Sequence, residues 1–492
     1  MAVETELKLS LPAGAATKLR RHPLLAGVTP QRQRLGNTYY DTPDLALKQR
    51  RIALRHRQTA WGQLLTVKSA EPAAGGLAQR NEWEAPSLPG AFDFSHVDDK
   101  RLRKWLHKIT PELQPVFSTD FQRATWQLAP APGVAIELAL DRGAVCCAGR
   151  QDPICEVELE LISGPTSALF DLALALQADL PLHPQVASKA ERGFRLFRNE
   201  AMAPARAGDS PVAPHMSPIA AFRAVAFAAL EQLQRNEAGA RDAGDPEFVH
   251  QARVAIRRLR SAMRLWKPVL PEAFLARFDP AWQQLAQVLG ELRNQDVFAT
   301  HLVPPLLERF PDHAGLRRLS RRIERQREPA RRRVRSALAG RDYSALLLAF
   351  IAAVHALPEP ARMKSLPALA QRRLERFTRL VEQRAQATRS DPEAHHRLRI
   401  AFKRLRYAIE FLAPLYPRRR VRSTLRAASE LVELLGAMND IAVARAITAD
   451  IPQGPDDDLL AAWLGGRAAL LNELLPGALA AFRRATPPWR AE

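Results

Sequence analysis

The sequence predicts an α+β chain in two parts: a β-rich barrel domain over residues 1–200 and an all-α, duplicated helical-bundle domain over residues 216–490. Three observations predict it. Residues 1–200 consist of short segments that alternate polar and apolar residues and are separated by Gly, Pro, Asn and Asp, the period-2 pattern of strands. Beyond a linker at 201–215, rich in Ala, Pro and Gly, the chain turns to Ala, Leu and Arg with helical periodicity. Residues 245–297 align without a gap onto residues 391–443 at a constant offset of 146, so the helical unit occurs twice. A length of 492 residues exceeds a single core.

Alternate residues of a strand share a face, and the N-terminal strands gather their charges accordingly. In VETELKLS, Glu4, Glu6 and Lys8 oppose Thr5, Leu7 and Leu9. In IALRHR, Arg55 and Arg57 oppose Ile52 and Leu54, and His56 falls on the apolar side as a structural residue. Lys68 joins Thr66; Arg80, Glu82 and Glu84 line RNEWE; Arg123 sits in FQRATW; Glu137 and Asp141 line IELALDR. Glu156, Glu158 and Glu160 oppose Val157, Leu159 and Leu161. Any one of these strands would suit an ordinary sheet with its charges in water. Acidic faces on some strands and basic faces on others fit a closed barrel with a charged lumen, its apolar outside covered by helices such as FDLALALQADL (170–180). A charged lumen is costly unless compensated. A triphosphate with divalent cations compensates both signs: Arg and Lys hold phosphate oxygens, and carboxylates hold Mg²⁺ or Mn²⁺.

The E-x-E-x-K opening (Glu4, Glu6, Lys8), followed in order by NTYYDTPDLAL, IALRHR, TVK, RNEWE, FQRATW, IELALDRG, CEVELEL and SKAERG, resembles the CYTH, or triphosphate tunnel metalloenzyme, superfamily. Within it the resemblance is to bacterial inorganic triphosphatases with an added helical domain. It implies an eight-stranded antiparallel tunnel that hydrolyses a linear triphosphate to diphosphate and phosphate, with Glu4, Glu6 and Lys8 at the catalytic centre. It assigns phosphate binding to Lys8, Arg55, Arg57, Lys68, Arg80, Arg123, Lys189 and Arg192. It assigns metal binding to Glu4, Glu6, Glu156, Glu158 and Glu160, with Glu82 and Asp141 as further candidates. Which two of Glu156, Glu158 and Glu160 touch metal is left open.

In the helical part, Asp245-Pro246 and Asp391-Pro392 each read as an N-cap followed by proline in the first turn. On the helices that follow, His250, Arg253, Arg257 and Arg260 form one stripe, repeated as His396, Arg399, Lys403 and Arg406, with Arg258 and Arg404 alongside. A solvated basic face would look the same on one helix; its survival in both copies favours a ligand. Two facing stripes make a positive groove for an extended polyanion. HQARVAIRRLR with LGELRNQDV, and HRLRIAFKRLR with LGAMND, resemble the CHAD domain, which implies polyphosphate binding. Asn294 stands where the second copy has Asp440, so the first site is expected to be less ordered if that acid orients an arginine. The run Arg321–Arg335 either extends this surface or is a solvated helix.

The net charge is +20 with a pI near 10.7. Residues 1–200 hold 25 Lys+Arg against 22 Asp+Glu, a net of 25 − 22 = +3, which leaves 47 − 30 = +17 for the rest. The excess points the helical part toward polyanions. Nucleic acid is disfavoured: aromatics are 7% of the chain and none interleave with the repeat arginines. Cys146, Cys147 and Cys155 have neither disulfide-framework nor zinc spacing. No apolar signal core or membrane-length run is present, so the expected location is the cytoplasm, with polyphosphate granules as a further expectation. The alternatives weighed are thiamine triphosphate hydrolysis, ATP cyclisation and an inactive phosphate-binding tunnel.

Overall fold

The computed structural model describes residues 3–70, 76–88, 90–359, 365–387, 392–449, 458–485 and 487–490. The strands are β1 (Val3–Ser10), β2 (Gln31–Asp41), β3 (Ile52–Thr59), β4 (Gly62–Ala70), β5 (Leu77–Ser87), β6 (Gln114–Ala131), β7 (Val134–Cys147), β8 (Arg150–Ser163) and β9 (His183–Pro184). Between and after them lie helices α1 (Ala16–Arg20), α2 (Ala46–Gln49), α3 (Lys100–Ile109), α4 (Ser167–Asp179) and α5 (Lys189–Phe197).

The strands form one antiparallel sheet in the order β5-β4-β3-β2-β6-β7-β8-β1-β9. β1 pairs with β8 on one side, from Glu6↔Glu160 to Ser10↔Glu156. On its other side it pairs with β5, from Val3↔Asn81 to Leu7↔Leu77. That second pairing closes eight strands into a ring, as expected. The two-residue β9 is an addition: it continues the β5 side of β1, with Leu9 opposite Pro184.

Alternation sorts the side chains of the ring. Leu7, Leu9, Leu138, Leu140, Val157 and Leu159 are almost fully buried, on the sheet region that α4 covers. Leu54, Leu65, Val67 and Trp83 pack with Phe94, Val97 and Leu106 of the α3 region. The apolar face therefore points outward beneath helices, and the opposite face is left to the charges.

The chain divides into two compact units, residues 1–203 with 340–356, and residues 204–339 with 357–492. The second unit holds α6 (Pro218–Asp242), α7 (Pro246–Leu265), α8 (Glu272–Val297), α9 (Pro304–Arg309) and α10 (Ala314–Ala339). Helix α11 (Arg341–His355) belongs to the first unit, although its sequence lies inside the helical half. Its Arg341 donates to Gln177 O at 2.8 Å, and Ser344 Oγ lies 2.9 Å from His183 Nδ1. The second unit continues with α12 (Leu366–Gln386), α13 (Pro392–Leu412), α14 (Arg418–Ala449) and α15 (Asp458–Arg484).

The repeat becomes two three-helix units, α6-α7-α8 and α12-α13-α14, whose middle helices α7 and α13 pack together. Asp245 caps α7 by accepting from Glu247 N at 2.8 Å, with Pro246 in the first turn. The equivalent Asp391 lies outside the described residues. Among the described residues, no single helix is long and apolar enough to cross a membrane.

Candidate active site and anion-binding cluster

The charged face of the ring is bound together by ion pairs that step from strand to strand. Lys68 on β4 lies 2.9 Å from Glu4 on β1 and 2.8 Å from Glu82 on β5. Arg55 on β3 reaches Glu82 at 3.7 Å and donates to Tyr39 Oη on β2 at 3.3 Å. Arg57 donates to Asn37 at 3.2 Å and lies 3.7 Å from Glu84. Arg123 on β6 holds Asp141 on β7 with two bonds of 2.7 Å and Glu158 on β8 with one of 2.5 Å. Lys8 lies 3.1 Å from Glu158 and 3.7 Å from Glu6.

Helix α5 brings two more cations to the same face. A capping box fixes its start: Ser188 accepts from Glu191 N, and the Glu191 carboxylate accepts from Ser188 N. Lys189, in the first turn, contacts Asp141 at 2.6 Å, Glu158 at 3.0 Å and Glu156. Arg192 binds Asp152 and Pro153 O, and lies 3.7 Å from Glu156. Gly193 lets the helix approach, because a Cβ there would stand 2.1 Å from the Phe117 ring.

Electrostatics divides the carboxylates into two groups. Burial pushes the Glu158 carboxyl up, but Lys189, Lys8 and Arg123 outweigh it and hold the group well below the usual range. Burial likewise presses on Lys8, and Glu6, Glu158 and Glu156 more than offset it, leaving its pKa raised. Glu160 differs: burial, then the charges of Glu4 and Glu137, push it up to about 7. Oxygens of Asp141, Glu156 and Glu158 lie within 4.8 Å of one another, and Glu156 Oε2 is buried without a hydrogen bond. This oxygen-only donor set fits Mg²⁺ or Mn²⁺, and so does the excess of negative charge around Glu4, Glu6 and Glu160. Of the glutamates left open by the sequence, Glu156 and Glu158 stand with Asp141, and Glu160 stands with Glu4 and Glu6. The expected phosphate residues Lys8, Arg55, Arg57, Lys68, Arg123, Lys189 and Arg192 share this face. The Arg80 side chain lies outside the described residues; its backbone pairs with Glu4. His56 binds Ala91 O at 2.9 Å on the opposite face, as a structural residue.

In the helical unit a second charged cluster forms where α7 and α13 meet. Arg253 senses Arg257, Arg399 and Arg293, and burial with these like charges lowers it to about 10. Lys403 is lowered to about 6 by burial, then by Arg257, Arg399 and Arg253. His250 is lowered to about 4 by burial and then Arg293, so it is neutral. Asp440 opposes these shifts at Arg399 and Lys403. His396 Nδ1 lies 3.0 Å from Asn439 Oδ1, which also accepts from Arg399 at 3.2 Å. Arg258, Arg260 and Arg406 stand apart from this cluster, in ion pairs with Glu410 and Asp279. Along α10, Arg327 is buried against Asp296, while Arg321, Arg325, Arg332, Arg333 and Arg335 are exposed.

The sequence model of the CYTH domain matches residues 2–194, and that of the CHAD domain matches residues 224–449. The chain carries a CYTH domain and a CHAD domain. An inorganic triphosphatase of Haemophilus influenzae is 35% identical over 199 residues, which cover 40% of this chain and 55% of that protein. The chain thus spans about half the length of this curated relative. Among solved structures, the CHAD domain from the plant Ricinus communis is 27% identical with a TM-score of 0.49, covering 58% of this chain and 99% of its own. The Hippeastrum protein HpAC1, described with a dominant triphosphatase activity, is 20% identical with a TM-score of 0.31, covering 41% of this chain and 98% of its own.

Several residues of both domains escaped the sequence reading. In the CYTH domain these are Tyr39 and Asn37, which hold Arg55 and Arg57, and Asp152, which holds Arg192. They are uncharged or isolated, and only the pairing of β2 with β3 makes Asn37 and Tyr39 neighbours of the arginines. In the CHAD domain Arg293 and Asn439 were missed, although they occupy equivalent positions at the offset of 146. Comparison of the two copies beyond the stripe would have found them.

Proposed function

We propose that the CYTH domain hydrolyses inorganic triphosphate to diphosphate and phosphate with Mg²⁺ or Mn²⁺, and that the CHAD domain binds polyphosphate. The observation that carries the first part is the convergence of opposite charges on one face of a closed ring, as in the Lys68–Glu4 and Lys189–Asp141 contacts. Such a face is stable empty only through its ion pairs, and both partners of each pair are chemically suited to a metal–phosphate ligand. In this reading Lys8, Arg55, Arg57, Lys68, Arg123, Lys189 and Arg192 turn from their carboxylates to the phosphate oxygens, and Arg80 is a further phosphate ligand. Glu4 and Glu6 with Glu160, and Asp141 with Glu156 and Glu158, are the oxygen ligands left for cations; Glu82 is a further ligand of the Glu4 side. When bound, the cation neutralises phosphate charge and supplies activated water. No side-chain nucleophile is required. The protein residues orient the chain and keep the terminal phosphorus in line for attack.

The division of labour follows residues 1–200 and 216–490, with 201–215 as the joint, except that helix α11 (Arg341–His355) goes with the first unit. In the second domain, four arginines without an ion pair among the described residues, Arg253, Arg257, Arg293 and Arg404, support polyanion binding, with Lys403 beside them able to take up a proton. The cytoplasm, and polyphosphate granules within it, is the compartment that suits such ligands. The deciding experiment is phosphate release from tripolyphosphate, long-chain polyphosphate, ATP and thiamine triphosphate, with Mg²⁺, Mn²⁺ or EDTA. Metal-dependent release from tripolyphosphate above the others is expected. Preference for thiamine triphosphate, or cyclic AMP from ATP, would replace the substrate; no release from any of the four would end the enzymatic reading.

A further inference from the structure

The repeat makes the CHAD domain its own comparison. At an offset of 146, Arg258 corresponds to Arg404, Arg260 to Arg406, and Arg264 to Glu410. Pseudo-symmetry would give both ends of the α7–α13 pair the same charge, and they do not have it. At the α13 end, Glu410 takes both guanidinium groups: Arg258 donates to Oε2 at 2.8 Å and Arg406 to Oε1 at 2.5 Å. Arg258 also lies over the Phe411 ring, 5.0 Å from its centroid. At the α7 end the carboxylate is replaced by Arg264. Asp279, whose counterpart is Leu425, binds Arg260 at 2.7 Å and approaches Arg264 only to 3.9 Å. Arg404 has no hydrogen bond or ion pair among the described residues, its Nε is buried without a partner, and burial with Arg260 lowers its pKa.

The sums differ. Arg260, Arg264 and Arg404 against Asp279 give 3 − 1 = +2, whereas Arg258 and Arg406 against Glu410 give 2 − 1 = +1, and there both forks are already engaged. A phosphate at the α13 end must break two charge-assisted bonds before making its own. At the α7 end it meets an unpaired guanidinium and relieves repulsion between Arg264 and Arg404.

We propose that the polyanion track of the CHAD domain is one-ended: from the central cluster of Arg253, Arg257, Arg399 and Lys403, a phosphate chain continues over Arg264 and Arg404, and Glu410 closes the opposite end. This rests on the reading of the CHAD domain as a polyphosphate binder. A chain longer than the central cluster therefore lies in one sense across α7 and α13.

The test uses the full chain with EDTA present, so that hydrolysis is off, and measures binding of long-chain polyphosphate over a series of salt concentrations. Arg264→Gln and Arg404→Gln should each weaken binding by about tenfold and flatten the salt dependence, because one charge-assisted contact is lost. Glu410→Gln should tighten binding and steepen the salt dependence, because it releases Arg258 and Arg406. Wild-type affinity in the Arg264 and Arg404 variants overturns the proposal, and so does wild-type affinity in Glu410→Gln. Arg253→Gln/Arg399→Gln separates the two levels: if this central variant binds like wild type, the polyphosphate reading itself fails. Circular dichroism melting checks that each variant is folded.

Discussion

Lys189 Nζ lies 2.6 Å from Asp141 Oδ2, with both side chains almost wholly buried. The same ammonium contacts Glu156 and Glu158, so one lysine from α5 holds together three carboxylates from β7 and β8. Replacing it by Met leaves those acids with Arg123 and Lys8, and Glu156 with Arg192 at 3.7 Å. Removal of one partner from a buried pair costs about 3–5 kcal/mol, so Lys189→Met should melt well below wild type in EDTA. A divalent cation can occupy the same carboxylates, so Mg²⁺ or Mn²⁺ should recover part of the loss. Thermal melts with and without metal decide it; a deficit unchanged by metal would argue that these acids hold no cation.

Glu4→Gln and Glu6→Gln keep the side-chain shape and remove the charge. Each should abolish triphosphate hydrolysis while leaving the circular dichroism spectrum unchanged, because β1 is held by backbone pairing on both sides. Phosphate release at saturating metal is the measurement. Wild-type-like turnover in either variant sinks the assignment of these glutamates to metal.

Gly193→Ala places a methyl group against the Phe117 ring, where a Cβ would stand 2.1 Å away. Helix α5 must then shift, carrying Lys189 and Arg192 with it. Overpacking of this kind costs about 1–3 kcal/mol, and hydrolysis should fall more than stability does. Phe117→Leu in the same chain should restore part of the activity. Failure of that second change to help would show that the loss came from another source.

How much of this was readable follows from the kind of pattern each part leaves. Strand alternation put Glu4, Glu6 and Lys8 on one face and Glu156, Glu158 and Glu160 on another, since period 2 survives any barrel curvature. The mixture of acidic and basic faces pointed the charges into the lumen, but alternation could not say that Glu160 stands with Glu4 rather than with Asp141, because cross-strand register is not local. The CHAD stripes were legible as period-3.6 patterns, yet Arg258 and Arg260 are ion-paired by Glu410 and Asp279 of other helices, and Arg406 by Glu410 one turn along its own helix. Helix α11 was the least legible element. Nothing in RDYSALLLAFIAAVH separates an apolar helix of one unit from that of another.

That helix gives a prediction that separates the two units. Leu348 on α11 is fully buried, within the unit of the CYTH barrel. Leu348→Ala should cost about 2–5 kcal/mol through lost burial and the cavity left behind. The damage should fall on the barrel. Hydrolysis should lose heat resistance, measured as residual activity after incubation, while polyphosphate binding survives the same treatment. Parallel loss of both properties would place α11 in the wrong unit.

The last prediction concerns pH and the CHAD cluster. Burial, then the charges of Arg257, Arg399 and Arg253, lower Lys403 from 10.5 to about 6, with Asp440 acting in the opposite direction. In the free protein at pH 8 this lysine is therefore neutral. A phosphate chain among these arginines favours its charged form, so binding should draw a proton from solution between about pH 6 and 8, and affinity should rise as pH falls through that window. The sign for stability follows from the same depression. Because the folded value lies below the unfolded one, the unfolded chain holds the extra proton between about pH 6 and 10.5, and stability rises with pH across that range. The burden on the fold is full below pH 6 and gone above 10.5. Lys403→Met removes the burden, so the variant should gain on wild type as pH falls toward 6 while losing affinity for polyphosphate. Calorimetric titration in buffers of different ionisation enthalpy reads the proton directly; heats that do not depend on the buffer would mean Lys403 is already charged in the free protein.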